Sequence, residues 1–155
     1  MTQWLLVGIL AASLHAGDAL AQHSAPLQQP TTAEAPAAPE GEMALGTIRI
    51  PRGVLADGKP LPAGTYHIRL TAQAAKPDAV GATESLARWV EFVRGGQVRG
   101  REVVNIVPGS EIKLVAQDRP PAQNQSKVEM LRGNEYLRVW INRGGHHFLI
   151  HLPVG

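Results

Sequence analysis

The sequence contains no cysteine. Disulfide staples, thiol nucleophiles and Cys-based metal sites are therefore excluded, and the fold must rest on a hydrophobic core. Aromatic residues are scarce, with two Phe, two Tyr and three Trp in 155 residues. Each ring therefore weighs heavily in a core or on a contact surface. Long apolar runs are also missing except for one, from Trp4 to Leu14, which is shorter than the roughly 20 residues a membrane-spanning helix needs. It suits the core of a signal peptide, and Ala19-Leu20-Ala21 supplies an A-x-A cleavage pattern behind it. No Lys or Arg precedes the run, so the amino-terminal charge alone serves as its positive end. The expectation is a signal peptide over residues 1–21 and an exported mature protein, periplasmic or extracellular. No further segment is apolar enough to cross a membrane, and no Cys stands after the cleavage pattern to carry a lipid anchor.

Residues 22–42 hold Pro26, Pro30, Pro36 and Pro39 among Ala, Gln, Thr and Glu. Such a stretch buries too little apolar surface to offset the entropy of ordering it, which predicts a disordered Pro/Ala-rich linker. From Met43 the texture changes to short alternating apolar segments separated by Gly and Pro, which predicts one β domain over 43–155. Tyr66, Ile68 and Leu70 alternate with His67, Arg69 and Thr71, the pattern of a half-buried strand. A short edge strand over 46–50 precedes it and stops at Pro51.

The last third of the chain fixes a register. With Gly133-Asn134 and Gly144-Gly145 as the centres of two-residue turns, strands over 127–132, 135–143 and 146–152 form a meander. Counting outward from the turns collects Val128, Met130, Leu137, Val139, Ile141, Phe148, Ile150 and Leu152 on one face. A slip of one residue would scatter them over both. The opposite face carries Tyr136, Arg138, Trp140, His147 and His151, a mixed aromatic and basic strip. The same counting through Gly95-Gly96 makes a hairpin of 86–107 but mixes Trp89 with Glu91 and Glu102 on one face, so its phase stays open between two covered faces and a bulge at Gly100. Residues 111–116 fit a short strand or one helical turn capped by Ser110.

Six His residues raise a metal hypothesis, but His146 and His147 point to opposite faces of a strand. His147 and His151 stand roughly 13 Å apart at about 3.3 Å per residue. No metal or other cofactor is expected. No G-x-S-x-G elbow and no phosphate-cradling Gly loop occurs. The paired carboxylates of a hydrolase would have to come from Glu91 and Glu102 on adjacent strands, among Arg88, Arg94, Arg99 and Arg101. All 15 Lys and Arg lie beyond Met43, whereas four of the 13 Asp and Glu precede it, so the domain is basic and suited to weak attraction by acidic surfaces. Its basic residues are scattered, and an exported chain is not expected to meet nucleic acid.

The run Leu61-Pro62-Ala63-Gly64-Thr65-Tyr66 with the strand after it resembles small secreted bacterial β-sandwich proteins in which an L-P-x-G-x-Y turn introduces a core strand. The stretches Arg88-Trp89-Val90-Glu91-Phe92-Val93 and 136–145 are similar to the same uncharacterised group. That resemblance implies fold and compartment and transfers no functional residue. The expected architecture is all-β, a single antiparallel β-sandwich, immunoglobulin-like or transthyretin-like, of about seven strands. The expected function is that of a non-catalytic binding or accessory module of the bacterial envelope, with Tyr136, Arg138, Trp140, His147 and His151 as its surface. Its expected partner is a glycan, an anionic surface or an envelope protein; the alternative is a small envelope hydrolase or metal-binding protein using His and Glu on the sheet.

Overall fold

The computed structural model describes residues 37–76 and 86–155. The expected signal peptide (1–21), most of the expected linker and residues 77–85 lie outside the described residues. The protein is all-β: seven antiparallel strands form one sheet in the order β1-β4-β5-β6-β9-β8-β7. These are β1 (Met43–Ile50), β4 (Gly64–Ala74), β5 (Ala87–Arg94), β6 (Gln97–Pro108), β7 (Ser126–Met130), β8 (Tyr136–Arg143) and β9 (His146–Pro153). A two-stranded flap pairs β2 (Val54–Ala56) with β3 (Lys59–Leu61), and one helical turn, α1 (Ile112–Val115), follows β6. The sheet curls until its edge strands β1 and β7 touch. The two facing layers are thus halves of one hydrogen-bonded sheet, close to a barrel, which leaves little exposed strand edge.

Alternation decides what the curl encloses. Ile48, Ile50, Tyr66, Ile68, Leu70, Val90, Phe92, Val104, Ile106, Val139, Ile141, Phe148, Ile150 and Leu152 are all buried in one cluster. The meander register follows the turn counting, with Val128 opposite Val139 and Met130 opposite Leu137. Likewise Ile141 stands opposite Phe148, Val139 opposite Ile150 and Leu137 opposite Leu152. The L-P-x-G-x-Y turn has a mechanical basis: Tyr66 is buried, and its hydroxyl donates across the turn to the Pro62 carbonyl at 2.7 Å. That bond locks the entry of β4 while the ring meets Phe92 edge-on, 6.1 Å between centroids.

The phase of the 86–107 hairpin resolves as a bulge. Val93 pairs with Val98, but Phe92 pairs with Gly100, leaving Arg99 as the extra residue. A Cβ on Gly100 would lie 3.2 Å from both the Ala56 Cβ and the Leu61 Cδ1. The glycine is there because the flap closes on it. Val54 of the flap also bridges Val154, so the flap covers one end of the curled sheet.

The other end corrects the linker boundary. Arg88 donates to the Gly41 carbonyl at 2.9 Å and also to that of Pro39, a His146 ring nitrogen meets the Ala37 carbonyl at 3.1 Å, and Ala38 packs against the core. Residues 37–42, expected to be linker, belong to the domain. Residues 111–116 resolve as the helical turn, preceded by Glu111 with no side-chain cap, so Ser110 is not the cap.

Candidate functional site

The convex face of the sheet has two halves with different fates. On β8, Trp140 is fully buried. Val107 at the end of β6, Ile112 of α1 and Leu149 of β9 pack around it as a second small core, with Ala116 at its margin. Residues 116–125 are stitched to β8: Asn124 N–H donates to the Asn142 carbonyl at 2.8 Å, Asn142 N–H to Gln125 at 3.0 Å, and the Asn142 amide to Pro121 at 2.9 Å. Inside this cover the Trp140 indole N–H donates to His147 Nδ1 at 3.0 Å. His147 is only 4 % exposed, and burial, then the neighbouring His146, hold its pKa below the ordinary value. Accepting the indole proton requires an unprotonated Nδ1, which a neutral imidazole supplies.

Two of the five expected contact residues, Trp140 and His147, are therefore interior. The physical reason is cover from α1 and the segment behind it. Arg138 is largely occupied as well. Its Nε donates to Glu129 and its Nη2 to Asp118, both at 2.8 Å, while its guanidinium and the Lys127 ammonium lie 5.0 and 4.8 Å from the Trp140 ring centre.

The remaining two, Tyr136 and His151, border an open cleft of about 930 Å³ on the other half, over which, among the described residues, neither α1 nor the segment after it folds. Its floor is Trp89 of β5, Val103 and Asn105 of β6, and His151 and Pro153 of β9. Ala74–Lys76 at the end of β4 form one wall, Tyr136, 44 % exposed, stands on another side, and the flap turn Asp57-Gly58 overhangs it. Trp89 is half-buried and held from one side by the Arg101 guanidinium, 4.2 Å from its ring centre. Arg101 Nε in turn donates to Asp57 at 3.0 Å. Glu102 clamps the same turn, one oxygen accepting Asp57 N–H at 2.8 Å and the other Val103 N–H at 2.9 Å. Burial and the Arg138 charge both lower the pKa of His151, which favours a neutral imidazole at the cleft floor near pH 7.

The strip read from the meander thus reaches the cleft at two residues, Tyr136 on one side and His151 in the floor. Arg101, Glu102 and Asn105 escaped the turn counting because the Arg99 bulge shifts the face of each β6 residue beyond it, and Trp89 of β5 escaped with them because the residue across from it becomes Val103 in place of Glu102. The bulge also separates the two carboxylates considered for hydrolysis: Glu91 pairs across from Arg101, whereas Glu102 pairs across from Val90, placing them on opposite faces. Glu91 instead binds Arg69, whose Nε donates to it at 3.0 Å. His67, on β4, hydrogen-bonds Thr47 at 2.8 Å and is separated from β9 by the two strands β5 and β6, so it approaches neither His147 nor His151. Among the described residues no group of three His, Asp or Glu converges as a metal cage would require. No protein-family model, curated protein or solved structure matches the chain.

Proposed function

We propose that this chain is an exported, non-catalytic binding or accessory module of the bacterial envelope, of the small secreted β-sandwich kind. We place its contact surface at the cleft rather than on the Trp140 strip. The observation that carries the reading is the cleft itself, with Trp89 and Tyr136 accessible at a concave site fixed by side-chain bonds to a rigid sheet. Preorganised groups lose little freedom on binding, so such a site favours recognition.

Two measurements test it. Intact-mass analysis of the secreted protein should show removal of residues 1–21, and a product retaining Met1 would contradict export. Titration of the mature protein with neutral tetrasaccharides, heparin, phosphatidylglycerol vesicles and a random peptide library should give saturable binding in one arm. Tyr136→Ala and His151→Ala should weaken it, because both residues border the cleft. No saturable response in any arm would overturn the reading.

A further inference from the structure

Resting on that reading, we propose that the cleft takes an uncharged polyhydroxylated ligand, a short run of pyranose sugars. Three observations converge on this chemistry. The first concerns the floor, which is the face of β5, β6, β9 and β8. β6 and β9 pair directly only from Val104/Ile150 to Pro108/His146; at the cleft they part, the Val103 N–H being taken by the Glu102 carboxylate and Val154 bridging to Val54 of the flap. An extended peptide gains its affinity by adding to a long open strand edge, and this gap, already occupied in part by Glu102 and the flap, leaves only a short stretch of one. A sugar needs no backbone partner; it uses side-chain donors and acceptors together with aromatic surface.

The second concerns charge. Of the charged residues lining the cleft, Lys76 is set against Asp57 and Glu102, and Arg101, outside the lining, neutralises Asp57, so the cleft carries no excess of positive charge. Arg101 is moreover committed to Asp57 and to the Trp89 ring. An anionic headgroup or sulfated chain would find no free excess of positive charge here, although the domain as a whole is basic.

The third is the alternation of surfaces. Trp89 of β5 and Tyr136 of β8 line the cleft at separate points, and between them in strand order Asn105 of β6 and His151 of β9 offer an amide and an imidazole that donate and accept. A pyranose has an apolar C–H face and a rim of hydroxyls, and this pairing of rings with neutral hydrogen-bonding groups matches both. The volume of about 930 Å³ lies near the upper end of the roughly 300–1,000 Å³ range of ligand sites. It suits several rings rather than one.

The test uses cellotetraose, maltotetraose and chitotetraose, followed by calorimetry and by indole emission. At least one should bind saturably with little change between low and high salt. Trp89→Ala should weaken it about 10-fold or more, the loss expected of an aromatic anchor, and Asn105→Ala should weaken it less. Leu114→Ser, on α1 at an 85 % exposed position, should leave it unchanged. Should Trp89→Ala fail to fold, Asn105→Ala and Tyr136→Ala carry the test. The proposal is overturned if no tetrasaccharide binds, or if binding survives all three cleft variants. Heparin, vesicles or peptides binding with cleft dependence in place of the sugars would overturn the sugar assignment and leave the binding-module reading standing; silence in every arm overturns both.

Discussion

Trp89 and Trp140 stand on the same convex face of one sheet, each in a strand that ends in Arg-Gly-Gly and each with a cation against its ring. Trp140 is wholly enclosed, with its indole N–H bonded to a buried His. Trp89 is half-open at the floor of a cleft. Their strands differ little in local pattern. The difference lies in what the chain does after leaving them. Behind β6, α1 and residues 116–125 fold back over Trp140; above Trp89, among the described residues, the tip of the flap alone reaches across, tied by Arg101 and Glu102. Strand alternation assigns a side chain to a face, and cover from elsewhere decides whether that face becomes core or surface.

The sharpest way to break this comparison is to truncate both rings. Trp140→Ala removes a ring with no exposed surface and leaves the His147 acceptor unpaired, so it should destabilise the domain by about 3–5 kcal/mol. Trp89→Ala loses partial burial and one cation–π contact and should cost no more than about 2 kcal/mol. Urea denaturation of both variants gives the order directly. Equal losses would mean that the two halves of the face do not differ in the way described.

Gly100 comes next in size. Its missing Cβ lets Ala56 and Leu61 of the flap close on β6, so Gly100→Val should cost about 1–3 kcal/mol through overpacking and lift the flap that bounds the cleft. Wild-type stability with unaltered proteolysis of the flap would refute the close approach.

The same glycine marks the limit of what the sequence revealed. The meander register was legible because two-residue turns and apolar alternation agree over β7, β8 and β9, and a slip would have exposed Phe148 or Ile150. The hairpin phase was not. Its bulge depends on a flap some 40 residues earlier in the chain, and no local pattern encodes that contact. The fate of Trp140 was hidden for a similar reason, since residues 111–116 are too short for strand and helix periodicity to be told apart. The strap over 37–42 was hidden more deeply: it is held through its backbone carbonyls by Arg88 and His146. Carbonyls leave no mark in a Pro/Ala-rich sequence.

Acid should probe the covered half. In the folded state both His147 and His151 have pKa values lowered chiefly by burial, so the unfolded chain takes up protons first. Their contribution to stability is complete above the ordinary His value of about 6.5 and is lost as pH falls below it toward the folded-state values. Melting temperature should therefore drop between about pH 7 and pH 5. His147→Gln should flatten that slope even if it lowers stability throughout, because the Trp140–His147 bond is the contact that protonation breaks. His67→Gln, at an exposed position, is the control. A slope unaffected by His147→Gln would remove His147 as the sensor.

The smallest effect is expected at Tyr136, and it decides whether the cleft is a surface at all. Its side chain is 44 % exposed, while its structural bond, from Leu131 N–H to its carbonyl at 2.9 Å, belongs to the backbone and survives substitution. Tyr136→Ala should then change stability by no more than about 0.5 kcal/mol. The neighbouring Leu137, buried in the main core, should cost about 2–5 kcal/mol on truncation to Ala, which fixes the scale within one strand. If Tyr136→Ala instead costs more than about 1 kcal/mol, the ring is packing as Ile112 packs over Trp140. This half would then be a second core in the making, and the aromatic wall that the proposed ligand recognition requires would be lost.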